Sequence, residues 1–410
     1  MGRRFLFINQ FYPPDPAPTG RVMHEVATEL VRRGHHVRVL CSRKEYGTGT
    51  DLGDSTVQEG VDVRRFWATT FDARRTVGRM TEDGLFLLHI ALRVLVQSPR
   101  VDLILAMSSP PLIGVMASLA HRWRRIEHAH WTMDLYPDVL EAHGLVSRDS
   151  WSSHVFKKIA RIQFDGAALI LALGPYMAER IATHLDGRAP LQAVPLWSDL
   201  VSDPQALTAA EEMRKLRRWR EDDLVLMYSG NMGRGHRFGE FLDAAKHFGV
   251  EGPVWAFVGG GPRRAEVEDY VRQCRSCRVQ LLPYVDAAAT AASLLSGDVH
   301  LVSLSSEWQA LIVPSKLQAA FALGRPVIFV GPFANETANW IIESGGGWVV
   351  PEGDVAALIK AVEEARDPQE RQHRGRAALA FAHGHFNREQ NRARVADLLE
   401  ACALRAAEAT

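Results

Sequence analysis

LVLMYSGNMGRGHRFGEFLDAAKHFGVEGPVWAFVGGGP, residues 224–262, decides the fold. An apolar run, Leu224–Ser229, ends in glycine. A helical pattern follows around Phe238–Phe248. A second apolar run, Val254–Val258, then ends in Gly259-Gly260-Gly261-Pro262. Strands that are apolar throughout and alternate with helices predict a parallel sheet covered on both faces. Downstream, strands are expected near Val279–Leu282, Val299–Val302 and Pro326–Val330. The end reads as helical from Val355 through Arg405, broken near His383-Gly384-His385. Upstream the same alternation holds. Arg4–Asn9 is a strand, Val22–Arg33 an amphipathic helix stopped by Gly34, and His36–Cys41 a second strand. Further strands fall near Val61–Phe66, Val101–Met107, Glu127–Met133, Ala167–Ala172 and Gln192–Pro195.

The alternation loosens between Trp197 and Asp223. The expected fold is therefore α/β, two tandem doubly wound Rossmann-like domains facing a cleft. The boundaries read as 1–200, a linker at 201–222, a second domain at 223–385, and a helix at 386–410 packing back toward the first domain. Ligands of such sheets lie at the carboxyl ends of the strands, where the strand order reverses. Two facing edges suit a reaction between two substrates.

Composition narrows the function. Lys plus Arg and Asp plus Glu both total 48 in 410 residues, so the net charge is zero. Neither a polybasic nucleic-acid binder nor an acidic tail protein fits. The first 200 residues carry 24 basic and 21 acidic side chains, a faint positive excess. Only seven of the 48 cations are Lys, which draws attention to Lys316. Four cysteines do not make a disulfide framework, and a reducing cytoplasm fits. Cys274 and Cys277 form a lone C-x-x-C on an expected helix, without the second ligand pair that zinc needs. The longest uncharged stretch, Leu103 to Ala120, has Ser108-Ser109-Pro110-Pro111 in its middle and reads as strand, turn and helix. Arg74, Arg75 and Arg79 before Leu85–Val96, with Arg122, Arg124 and Arg125, are either a basic-apolar membrane face or the solvated ends of core helices.

Three glycine or helix-start features of the second half fall at strand ends. Gly230-Asn231-Met232-Gly233-Arg234-Gly235-His236 lets backbone approach an anion, with Arg234 and His236 expected to add positive charge. Gly259-Gly260-Gly261-Pro262 is not the dinucleotide fingerprint G-x-G-x-x-G. Pro314-Ser315-Lys316 opens a helix with groups suited to phosphate. Asp134, after a strand of the first domain, is a candidate to polarise an acceptor hydroxyl or bind a sugar, or else a turn or helix cap. His128 and His130 share that strand, and at least one is expected in the core. Glu307 is a candidate sugar or ribose contact or a solvated loop acid. Glu336, at a helix start, is favoured there by the dipole alone. No Ser-His-Asp order, H-E-x-x-H or Walker loop is present.

These residues carry a resemblance spanning nearly the whole chain. Asn9-Gln10-Phe11-Tyr12-Pro13-Pro14 with Gly20, Leu30 to Val37, Asp134-Leu135-Tyr136-Pro137-Asp138 and Val194-Pro195-Leu196-Trp197 resemble the GT-B glycosyltransferases of family 4, found in bacterial polysaccharide clusters. Val313-Pro314-Ser315-Lys316-Leu317 through Leu323-Gly324-Arg325-Pro326-Val327 is the most specific match. The resemblance implies a nucleotide-diphosphate sugar as co-substrate on the second domain, with no cofactor or metal and with retention of configuration. It implies a saccharide or lipid-linked acceptor on the first domain and allows peripheral contact with the inner membrane. Gly20 would close over the donor phosphates; Arg234 and Lys316 would offset the leaving-group charge. Gly233, His236, Gly260 and Ser315 would line the donor. The loop around Pro283-Tyr284 would hold the base, and Glu336 the ribose or a neighbouring loop. Many members carry two Glu residues eight apart. Here the second falls on Ala319 beside Gln318, or on Ser315 if Glu307 is the first. Met133 stands where His commonly precedes the cleft Asp. A nucleotide-sugar 2-epimerase and a non-catalytic nucleotide-sugar-binding subunit are the alternatives on this fold.

Overall fold

A computed structural model describes residues 2–45, 49–66, 76–97, 101–144, 147, 150–185, 190–274 and 277–408. The chain forms two compact units, Met1–Pro195 with Glu389–Thr410, and Leu196–Arg388.

The first unit is built on eight strands: β1 (Arg4–Ile8), β2 (His36–Ser42), β3 (Thr56–Gln58), β4 (Val61–Phe66), β5 (Leu103–Ala106), β6 (Glu127–Trp131), β7 (Leu169–Ala172) and β8 (Leu191–Ala193). Their order is β3-β4-β2-β1-β5-β6-β7-β8. Every pairing is parallel except β3 with β4. The sequences of β5 and β7 are both Leu-Ile-Leu-Ala, and all eight residues are buried, as helices on both faces require. β3 was not expected; its three residues are too few to show a period. The order reverses between β1 and β5, so the loops after these strands flank the switch point. They are joined there by the Gln10 amide, which donates to the Ser109 carbonyl at 2.7 Å.

Gly20 lies within the helix Pro18–Arg32 rather than in the preceding loop. A Cβ on it would come within 3.0 Å of the Phe11 backbone, so glycine is what lets helix and loop touch. The helix Arg388–Glu408 belongs to this unit through ions. Arg33 pairs with Asp397 at 2.6 Å and Glu400 at 2.9 Å. The buried Glu29 pairs with Arg33 and, at 3.6 Å, with Arg392. Hydrogen bonds from Arg32 and Arg33 hold the Glu29 carboxyl down at about 2. His35 accepts the Arg3 amide on Nδ1, so its Nε2 proton goes to Glu400, 2.7 Å away.

The second unit has six parallel strands: β9 (Val225–Ser229), β10 (Val254–Val258), β11 (Val279–Leu282), β12 (Val299–Ser303), β13 (Val327–Val330) and β14 (Gly347–Val350). Their order is β11-β10-β9-β12-β13-β14, and the reversal falls between β9 and β12. β14 was also not expected, being four residues led by glycine. The stretch 201–222, read as a linker, carries the helix Pro204–Leu216, which packs on Thr290–Leu295 of this unit. Arg214 reaches Asp298 at 3.2 Å, and Arg217 donates to Ser293 and Ser296. The charges that make this segment look like a solvated linker are its anchors.

Candidate functional site

In the second unit, the loops after β9 and β10 interlock. The Gly230 amide donates to Val258 and the Met232 amide to Gly260, at 2.9 and 2.6 Å. Gly259 has φ +132°, and a Cβ there would overlap the Gly230 carbonyl oxygen, so both the turn and the close approach demand glycine. Tyr284 covers Gly260, donating its hydroxyl to that carbonyl at 3.3 Å. The residue is 59% exposed, and its ring offers a flat surface to a planar ligand.

His236 sits directly at the switch point. Its Nδ1–H donates to the carbonyl of Ser303, the last residue of β12, at 2.6 Å. That bond fixes the tautomer and leaves Nε2 as the acceptor for the Lys316 ammonium at 3.1 Å. Burial, then the Lys316 charge, push His236 down to about 3. The expectation that His236 adds positive charge is therefore corrected. It is a neutral imidazole that holds the lysine.

Lys316 opens the helix Lys316–Ala322. Its ammonium lies 3.1 Å from His236 and 5.0 Å from the Tyr228 ring centre. Among the described residues no carboxylate pairs with it. Burial pulls it down to about 7. A partly buried cation with neutral neighbours is suited to an arriving anion. Arg234 is exposed on the same glycine loop and makes no ion pair among the described residues.

Several supports were invisible in the sequence. The Ser303 hydroxyl accepts from the Arg237 amide at 2.9 Å. Trp308 is buried beneath Gly235, where a Cβ would lie 2.8 Å from the indole. Arg263 donates to the His236 carbonyl. Glu352 accepts from the Ser306 amide and hydroxyl at 2.7 and 2.6 Å and pairs with Arg237 at 2.7 Å, fixing the turn that carries Glu307. Asking which residue ends the strand opposite β9 would have found Ser303. The others depend on distant packing.

The remaining candidates separate. Glu307 and Ser315 are exposed, and Gly233 is partly buried beside His236. Glu336 is buried in the first turn of the helix Glu336–Ser344, capped by the Asn335 side chain. Gln318, beside the missing second Glu, is buried; with its amide oriented to satisfy both ends, it donates to the Ser315 and Pro314 carbonyls.

In the first unit, Asp134 follows β6. The Ser108 hydroxyl accepts from the Met133 and Asp134 amides, both at 3.1 Å. The Asp134 carboxyl makes no hydrogen bond or ion pair among the described residues, and burial raises it to about 6. Asp138 is buried against Arg180 and against His184 at 2.9 Å, a structural ion pair that keeps it ionised. His128 and His130 are both core residues, packed against His121 and Phe164. Arg74 and Arg75 lie outside the described residues, as does the Arg79 side chain. Cys274 stands just past the end of the helix Arg264–Gln273, not on it. No helix among the described residues is long and apolar enough to cross a membrane.

Residues 19–197 match the family described as glycosyl transferase 4-like domain, and residues 223–367 match glycosyl transferases group 1. The chain is a GT-B glycosyltransferase of the family 4-like type. This glycosyltransferase is similar to a probable glycosyltransferase, WbjE, of Pseudomonas aeruginosa, at 22% identity over 65% of this chain and 66% of that one. It is also similar to WcaI of Escherichia coli, described as a putative colanic acid biosynthesis glycosyl transferase, at 26% identity over 42% of each chain. The match thus spans just under two thirds of the first and less than half of the second. Among solved structures, Anabaena HepE in complex with UDP-glucose superposes with a TM-score of 0.72 at 14% identity, covering 97% of this chain and 99% of that one.

With Lys316 as a contact to the donor phosphates, a pH signature is expected. A nucleotide-diphosphate sugar is fully ionised near neutrality, whereas Lys316 loses its proton above about 7. Donor affinity is expected to be flat below that pH and to weaken about tenfold per unit above it, until the pKa of the bound lysine is reached. Calorimetry between pH 6 and 9 checks this, with Lys316→Met expected to be flat. A pH-independent wild type would contradict it.

Proposed function

We propose that this glycosyltransferase moves a sugar, with retention, from a nucleotide-diphosphate sugar to a hydroxyl of a saccharide or lipid-linked acceptor. The setting we infer is the assembly of a cell-surface polysaccharide or glycoconjugate at the cytoplasmic face of the membrane. The observation that carries the donor half is Lys316, held by a neutral His236 at the switch point of a glycine-lined sheet edge. On this reading Lys316 and Arg234 offset the charge of the departing diphosphate, without a metal. Gly233, Gly260 and Ser315 line it, and Gly20 closes over it. Tyr284 stacks on the base, Glu307 contacts the sugar and Glu336 the ribose or its loop. Asp134 serves the acceptor. The UDP-glucose in the HepE structure supports a nucleotide-sugar donor, and the WcaI description supports polysaccharide assembly. Trp123, 80% exposed beside Arg122 and Arg124, supports a peripheral membrane contact.

A thermal-shift screen against UDP-, GDP-, ADP- and dTDP-sugars tests the reading. A ligand at 100 times its Kd stabilises the folded state by about 2.7 kcal/mol, so the true donor class is expected to raise Tm clearly. No shift with any nucleotide sugar would overturn it.

A further inference from the structure

The C-x-x-C pair takes no part in the donor site, yet its geometry is specific. The helix Arg264–Gln273 ends at Cys274, whose φ of −99° and ψ of 96° turn the chain out of the helix. Cys277 lies two residues before β11. The two Sγ atoms are 2.7 Å apart, inside van der Waals contact, and the Cys277 thiol is also 3.5 Å from the Cys274 carbonyl oxygen. Both cysteines are partly exposed, whereas Cys41 and Cys402 are buried. A disulfide needs about 2.0 Å between sulfurs, and a change of that size is within reach of side-chain rotation. Zinc would need further ligands, and among the described residues no group of three or more His, Cys, Asp or Glu is placed to hold a metal.

We propose that Cys274 and Cys277 are a redox modification site, a vicinal dithiol that hydrogen peroxide converts to an intramolecular disulfide and a dithiol reductant restores. One thiolate attacks a peroxide oxygen, giving a sulfenic acid and, after proton uptake, water. The second thiolate attacks the sulfenic sulfur, forming the S–S bond and expelling hydroxide, which leaves as a second water. Two thiols are oxidised and one peroxide is reduced. Burial first, and the neighbouring Cys274 next, raise the Cys277 thiol to about 11, so the reaction quickens as the pH is raised. The product ring-closes the connection into β11, whose far end leads to Tyr284.

The test needs no transfer activity, so it stands apart from the proposed function. Full-length protein is reduced, freed of reductant and treated with hydrogen peroxide. Thiols are then counted in denaturant. The expected count falls from four to two and returns to four with dithiothreitol. A tryptic digest under non-reducing conditions should hold Gln273–Arg275 linked to Ser276–Arg278. Cys277→Ser should abolish that linked species. Four thiols surviving peroxide, or thiol loss without the linked peptide in the wild-type digest, would overturn the proposal. The wild-type digest decides by itself if the variant folds poorly.

Discussion

Lys316→Ala is expected to lower turnover by roughly 10²- to 10³-fold, the range seen when one preorganised charge or donor is taken from a transition state. The leaving diphosphate gains charge as the glycosidic bond breaks, so a fixed cation there stabilises the transition state more than the bound donor. Donor affinity should therefore fall less than turnover. The fold should survive. No carboxylate among the described residues is left unpaired, which is the usual source of large losses when a buried ion is removed. His236 keeps its bond to Ser303 and loses only the lysine on Nε2. That orphaned acceptor costs about 1–3 kcal/mol at most, offset by release of a desolvated ammonium. Steady-state kinetics with a melting curve checks both halves. Near-wild-type turnover would remove Lys316 from the site.

Asp134→Asn is expected to cut transfer by roughly 10²-fold or more, the range for a positioned acid or base. The amide is isosteric. The Ser108 hydroxyl contacts the backbone amide of residue 134, not its carboxyl, so the local turn is unaffected. With the wild-type carboxyl raised to about 6, the ionised form predominates at pH 7. Wild-type transfer should therefore decline as pH drops through 6, and the variant should lack that limb. Donor affinity is expected to stay within about twofold, since the donor is assigned to the other unit. Calorimetry showing an equal loss of donor affinity would contradict the acceptor role.

Much of this was readable in advance. The runs Val254–Val258 and Leu103–Ala106 are apolar at every position, so their strands and their burial could be predicted together. The turn glycines and Pro314-Ser315-Lys316 marked the turns at the strand ends of the second unit because backbone conformation is written locally. The sign of His236 was not readable. Its neutrality follows from a carbonyl 67 residues away and from the lysine that donates to it. The segment 201–222 misled for a related reason. Polar helices look solvated until the groups they bond, here Ser293, Ser296 and Asp298, are brought alongside by the fold.

The first unit is discontinuous in sequence, closing only with Glu389–Thr410. During synthesis, Glu29, Arg33 and His35 emerge from the ribosome more than 350 residues before Arg392, Asp397 and Glu400. The second unit is continuous and can complete its core first. Until then Arg33 has Glu29 as its partner, and Asp397 and Glu400 join it only when the helix Arg388–Glu408 docks. The helix Arg388–Glu408 is thus a late-arriving part of an early-made unit, and it brings the outer partners of Arg33.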